Sequence, residues 1–137
     1  MAKSKAQRLP PCFCGSGATY QQCCERYISG AQTAPDAHSL MRSRYSAYVL
    51  QDEAYLQKTW HPRSRPVLDL AQHEPCKWLG LQILRHEQQL TTATVEFVAR
   101  YKVHGRAQQL HEVSRFEFED GQWFYVDGEF PPEKQEK

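Results

Sequence analysis

The sequence predicts an α+β fold: helices laid across the concave face of a curved antiparallel sheet, with a small metal-binding module in front. Three observations carry this. Apolar residues recur at helical spacing between Asp36 and Trp60. From Trp78 onward the period shortens to two, and Asp120-Gly121 supplies a two-residue hairpin signal. Four of the five cysteines fall within one short segment, as Cys12-Phe-Cys14 and Cys23-Cys24.

The cysteine segment comes first in the chain. Soft sulfurs packed this densely suit a tetrahedral metal shell, and zinc is the natural candidate; the spacing leaves an iron–sulfur cluster open. The intervening Gly15-Ser-Gly17 can take the positive-φ turn that doubles the chain back. Disulfides are the competing reading, but adjacent cysteines pair poorly with each other and a Cys-x-Cys bridge is strained. The basic N-terminus has no apolar core of a signal peptide behind it, and no stretch approaches the length of a membrane span. A cytoplasmic protein with no membrane partner is therefore expected. The fifth cysteine, Cys76, stands apart and reads as a small apolar residue.

The division expected is a module over 1–28 with a flexible basic start, a linker over 29–35, a folded domain over 36–130 and a disordered tail over 131–137. Asp36 or Ser39 caps a helix running to about Leu50. Leu40, Met41, Tyr45, Tyr48 and Val49 share one face of it, with Arg44 in the middle. Asp52 caps a shorter helix with Tyr55, Leu56, Thr59 and Trp60 inward, ended by His61-Pro62. Strands are expected over 78–87, 91–103, 109–119 and 122–128. The Asp120-Gly121 turn then sets Phe118 opposite Trp123, Phe116 opposite Tyr125 and Ser114 opposite Asp127, all on one face with Glu112.

That face mixes aromatic rings with charge. Arg44 comes down onto it from the helix, and a buried charge needs a partner, so an Arg44 ion pair with Asp127 or Glu112 is expected. The alternative is a ligand pocket built from Arg44, Tyr48, Glu112, Ser114, Tyr125 and Asp127. Among six scattered histidines, only His61 has a position suggesting a pocket wall. No histidine stands where it would activate Ser114, so a hydrolase triad has no support and the reading leans away from an enzyme.

The string Cys12-Phe-Cys-Gly-Ser-Gly through Tyr20-Gln-Gln-Cys-Cys24 resembles the SEC-C motif, the zinc-binding tail of the SecA translocation ATPase. That resemblance implies Cys12, Cys14, Cys23 and Cys24 as ligands of a structural zinc ion, with Phe13 in place of the usual proline. Tyr27-Ile-Ser-Gly30, Leu40-Met-Arg-Ser-Arg-Tyr45, Lys58-Thr-Trp-His-Pro62, Phe97-Val-Ala-Arg100 and Gly121-Gln-Trp-Phe-Tyr-Val-Asp-Gly128 resemble the bacterial YchJ family. It implies an NTF2-like domain behind the SEC-C module. Many members carry a second SEC-C motif at the C-terminus. The sequence here shows none after Asp127, so a role needing two zinc modules is not expected.

Two functions follow as expectations. The SEC-C resemblance implies contact with another protein, making the chain an interaction adaptor. A net charge of +1 gives little support for nucleic acid or the ribosome, although Lys3, Lys5, Arg8 and Arg26 gather near the module. The alternative is a small-ligand-binding or enzymatic cone around Arg44, Glu112 and Asp127, for which the fold is analogy alone.

Overall fold

The computed structural model describes residues 10–70 and 76–131. All but Pro131 of the expected disordered tail, and the basic residues Lys3, Lys5 and Arg8, lie outside the described residues. Three helices, α1 (Glu25–Ile28), α2 (Ala37–Leu50) and α3 (Glu53–Lys58), precede four strands, β1 (Lys77–Gln88), β2 (Thr92–Val103), β3 (Arg106–Glu119) and β4 (Gln122–Glu129). The strands form one antiparallel meander in the order β1-β2-β3-β4.

Capping chemistry sets the helix ends. The Asp36 carboxylate accepts the Ser39 N–H at 2.7 Å and starts α2, and Asp52 does the same for α3 from Tyr55 at 3.0 Å. Between them Gln51 sits at φ 59°, turning the chain from one helix into the next. The helical face expected from periodicity is observed, but α2 is buried more widely. Ser43, Ser46 and Ala47 are enclosed as fully as Leu40 and Met41. These small side chains let α3 and the cysteine segment pack closely on the side away from the sheet. Ser43, for example, lies 2.7 Å from the Tyr55 hydroxyl.

Both tight turns have two residues at positive φ: Asp120 and Gly121 at 54° and 82°, His104 and Gly105 at 52° and 77°. Such turns match the twist of a hairpin. The second was not expected. With His in place of Asn or Asp before Gly105, and the polar run Arg106-Ala-Gln-Gln109 after it, strand β3 begins three residues earlier than the pattern indicates.

The register expected from Asp120-Gly121 holds for Phe118 with Trp123 and Phe116 with Tyr125, then fails. A bulge beside Phe116 pairs Arg115 with Asp127 and Ser114 with Gly128. One extra residue on β4 moves every later side chain to the other face. Further irregularities in β1, at Trp78/Gly80 and Ile83/Arg85, also interrupt a flat ladder.

Segment 59–61 then runs along β4: Tyr125 N–H donates to the Thr59 carbonyl at 2.9 Å and His61 N–H to the Tyr125 carbonyl at 2.7 Å. This covers the edge that β4 would otherwise expose. Cys76, expected to be an apolar packing residue, is exposed just before β1. No helix among the described residues is long and apolar enough to cross a membrane.

Candidate functional site

Two places combine chemistry with burial. In the first, the sulfurs of Cys12, Cys14, Cys23 and Cys24 all lie within 4.8 Å of one another. A tetrahedral zinc with bonds of about 2.3 Å sets sulfur–sulfur edges of about 3.8 Å. The Cys14–Cys23 and Cys23–Cys24 separations are 3.6 and 4.0 Å, so the donor set fits a metal ion. Gly15 and Gly17, at φ 79° and 95°, fold the loop between the pairs as their position suggested.

Two contacts fasten this cluster to α2. Arg42 donates to the Cys14 carbonyl at 2.7 Å, and Cys12 Sγ lies 3.6 Å from Ser46 Oγ. Hydrogen bonding, foremost from Cys24 and then Arg42, Ser16 and Cys23, lowers Cys14 to about 4 against the opposing effect of burial. Cys14 is thus disposed to be a thiolate, the form that binds metal, while the hydrogen bond with Cys14 raises Cys24 and burial raises Cys23. An ion held by all four cysteines would have no open coordination position.

The second place is a cavity of about 210 Å³ between α2 and the sheet. Met41, Tyr45, Trp78, Phe97 and Leu110 make it largely apolar, and Arg44, Tyr48, Glu112, Ser114 and Tyr125 supply its polar groups. Arg44 is 3% exposed. One nitrogen, Nη1, donates to the Leu56 carbonyl at 3.0 Å and to Thr59 Oγ1 at 2.6 Å. The guanidinium lies over the rings of Trp60 and Tyr125, 5.0 and 4.5 Å from their centroids.

Glu112 takes its hydrogen bonds elsewhere, accepting from Ser114 at 2.8 Å and Tyr125 at 2.9 Å, both on Oε2. Its carboxylate occupies the space where a Cβ on Gly128 would stand, 2.0 Å from Oε2. Burial pulls Arg44 below its ordinary value, opposed by Tyr48, Tyr125, Tyr55 and Glu112. Burial first, then Glu112, pushes Tyr125 up, so its hydroxyl stays a donor. Trp60 Nε1, in the same aromatic group, is a buried polar atom with no hydrogen-bond partner among the described residues.

A family model described as the middle NTF2-like domain of YchJ matches residues 36–128, and the SEC-C motif matches residues 11–26. The chain belongs to the YchJ family. Similar chains include a UPF0225 protein of Cupriavidus metallidurans, 53% identical over 126 residues, with 87% of this chain and 88% of that protein covered. One from Streptomyces coelicolor is 50% identical, with 88% and 96% covered. The solution structure of RPA3114, a SEC-C motif containing protein from Rhodopseudomonas palustris, has a TM-score of 0.81 at 36% identity, covering 88% of this chain and 98% of that one. The crystal structure of a SEC-C motif containing protein from Psychrobacter arcticus has a TM-score of 0.74 at 28% identity, covering 94% of this chain and 86% of that one.

In this YchJ-family chain five of the six residues expected at a pocket meet around the one cavity. Asp127 does not. The β4 bulge places it on the outer face, where it accepts from Arg115 at 2.7 Å with its side chain 49% exposed. The expected Arg44–Asp127 pair is therefore absent, and no ion pair joins Arg44 to Glu112 among the described residues. Backbone and hydroxyl oxygens and two aromatic faces hold the guanidinium instead.

His61 is also on the outer side. Its Nδ1 accepts the Arg63 N–H at 3.0 Å, which leaves Nε2 to donate to Glu119 at 2.7 Å. Glu117 stands nearby, but its two oxygens already accept from Arg63. The apolar walls from Met41, Trp78 and Phe97 were not expected as pocket residues. Their periodicity marked only which faces are inward, since packing and cavity lining leave the same pattern.

Proposed function

We propose that this protein binds a small molecule in the cone, with the cysteine centre holding zinc as a structural support. The observation that carries the reading is Arg44: a guanidinium almost wholly buried, beside a cavity, with no carboxylate paired to it. Burying a charge this way is costly unless something is gained, and concave apolar sites with a few polar groups are where small ligands bind.

The test is to purify the full zinc-loaded chain from its native cells, denature it and analyse the released small molecules. A Leu110→Trp variant, which fills the half-exposed wall of the cavity, serves as the control. A compound released by the wild type and missing from the variant supports the reading; matching empty extracts overturn it. Metal analysis is expected to find one zinc per chain. Chelation should lower the melting temperature of the whole protein, because the cysteines share one core with α2.

A second reading, the interaction adaptor, is favoured by Phe13. This ring is 40% exposed at the turn between the first two cysteines and packs beside Tyr20, with centroids 5.4 Å apart. Phe13→Ser leaves the metal ligands in place, so loss of a captured protein partner on that change alone supports the adaptor. Identical captures with and without Phe13 remove it.

A further inference from the structure

We infer that the cavity selects an uncharged, single-ring molecule carrying a hydrogen-bond acceptor for Arg44 and a hydrogen-bond donor for Glu112. The inference rests on the ligand-binding reading and adds the chemistry of the ligand.

Size comes first. A cavity of about 150 Å³ admits benzene, so about 210 Å³ has room for one substituted six-membered ring. The walls offered by Trp78, Phe97, Met41 and Leu110 suit the flat apolar body of such a ring.

Charge comes second. The cavity contains one cation and one anion that are not paired to each other. Tyr125 stands between them, its ring against the guanidinium and its hydroxyl on the carboxylate. Ser114 and Tyr125 both bind Glu112 Oε2, which leaves Oε1 with no hydrogen-bond donor. Arg44 commits Nη1 to Leu56 and Thr59, is hydrogen-bonded with Tyr48, and lines the cavity with it. A ligand with a net charge would leave one buried charge uncompensated. A neutral ligand with a carbonyl and an N–H or O–H satisfies both poles.

The experiment uses calorimetry on the zinc-loaded full chain with three isosteric probes: benzamide, benzoate and benzamidinium. Benzamide is expected to bind the wild type roughly tenfold more tightly than either ion. Glu112→Gln removes the anion and leaves Arg44 alone, so preference should move to benzoate. Leu110→Trp should abolish binding of all three.

If either charged probe binds the wild type as tightly as benzamide, the charge-balance inference is overturned while a ligand cavity stands. An unchanged preference in the Glu112→Gln variant overturns it as well. If no probe binds, the cavity is not a ring site and the inference fails with it, whatever the cell extracts show.

Discussion

The two faces of the sheet treat charge in opposite ways. On the outer face several charges are paired. Arg115 meets Asp127 at 2.7 Å and Glu129 at 3.3 Å, Arg63 meets Glu117 at 2.8 Å, and His111 meets Glu96 at 2.7 Å. On the inner face Arg44 and Glu112 border one cavity and are held separately, Arg44 by aromatic faces, the Leu56 carbonyl and the Thr59 hydroxyl, Glu112 by hydroxyls on one of its oxygens. Solvent would have tolerated unpaired ions outside, where pairing gains little. Keeping the charges apart preserves a polar, shaped space, and that difference is the strongest physical argument for a binding role.

The largest expected effect contrasts one arginine from each face. Arg44→Ala removes a buried side chain and strands the Leu56 and Thr59 acceptors, so it should cost roughly 3–5 kcal/mol. Arg115→Ala, in solvent, should cost within about 1 kcal/mol. Urea unfolding of both variants measures the gap, and equal losses would break the comparison.

Two glycines sharpen it at a smaller scale. Gly128→Ala must evict the Glu112 carboxylate, since the new Cβ would stand 2.0 Å from Oε2, at a cost of about 1–3 kcal/mol. Gly80→Ala meets nothing nearer than 3.9 Å and should change stability by under about 0.5 kcal/mol. Comparable thermal melts for the two would mean that Glu112 moves freely.

The smallest effect is in pH. His38 of α2 stacks on His86 of β1 with centroids 4.4 Å apart. Burial first, then Arg42 and His86, lowers it below its ordinary 6.5, with Asp36 opposing. The unfolded chain then takes up this proton before the folded one does, so stability falls as pH drops from about 6.5 and levels off below the folded value.

Outer-face Asp127 and Glu117 are lowered by Arg115 and Arg63 from ordinary values of 3.8 and 4.5. Their contribution is present above those values and is lost only as pH falls below them. Melting curves between pH 7 and 3 should show two windows, and His38→Gln should remove the upper one. A single transition in acid would show that the faces titrate together.

Much of this was legible from residue order. Asp36 and Asp52 mark the helix starts because a side-chain oxygen two or three residues ahead of an N–H is a local fact. Asp120-Gly121 marks its hairpin because positive φ is needed at both positions. The Asp127 position was illegible for the opposite reason. One inserted residue in β4 leaves alternation locally intact and reverses its meaning downstream. His61 went the same way: its neighbours in sequence place it at a helix end, but Glu119, far along the chain, decides which side it faces.

By itself the sequence determined the family, the order of elements, the four cysteines able to hold a metal and the presence of polar residues on an apolar face. Each depends on spacing along the chain, which the covalent structure preserves. Only tertiary structure decided that Arg44 and Glu112 remain apart, that Asp127 leaves the site and that an apolar space opens between α2 and the sheet. Those outcomes depend on a bulge and on Gly128 giving room to a carboxylate from another strand. They depend too on two rings accepting a cation that no carboxylate among the described residues pairs with, and contacts of this kind are absent until the chain has closed on itself.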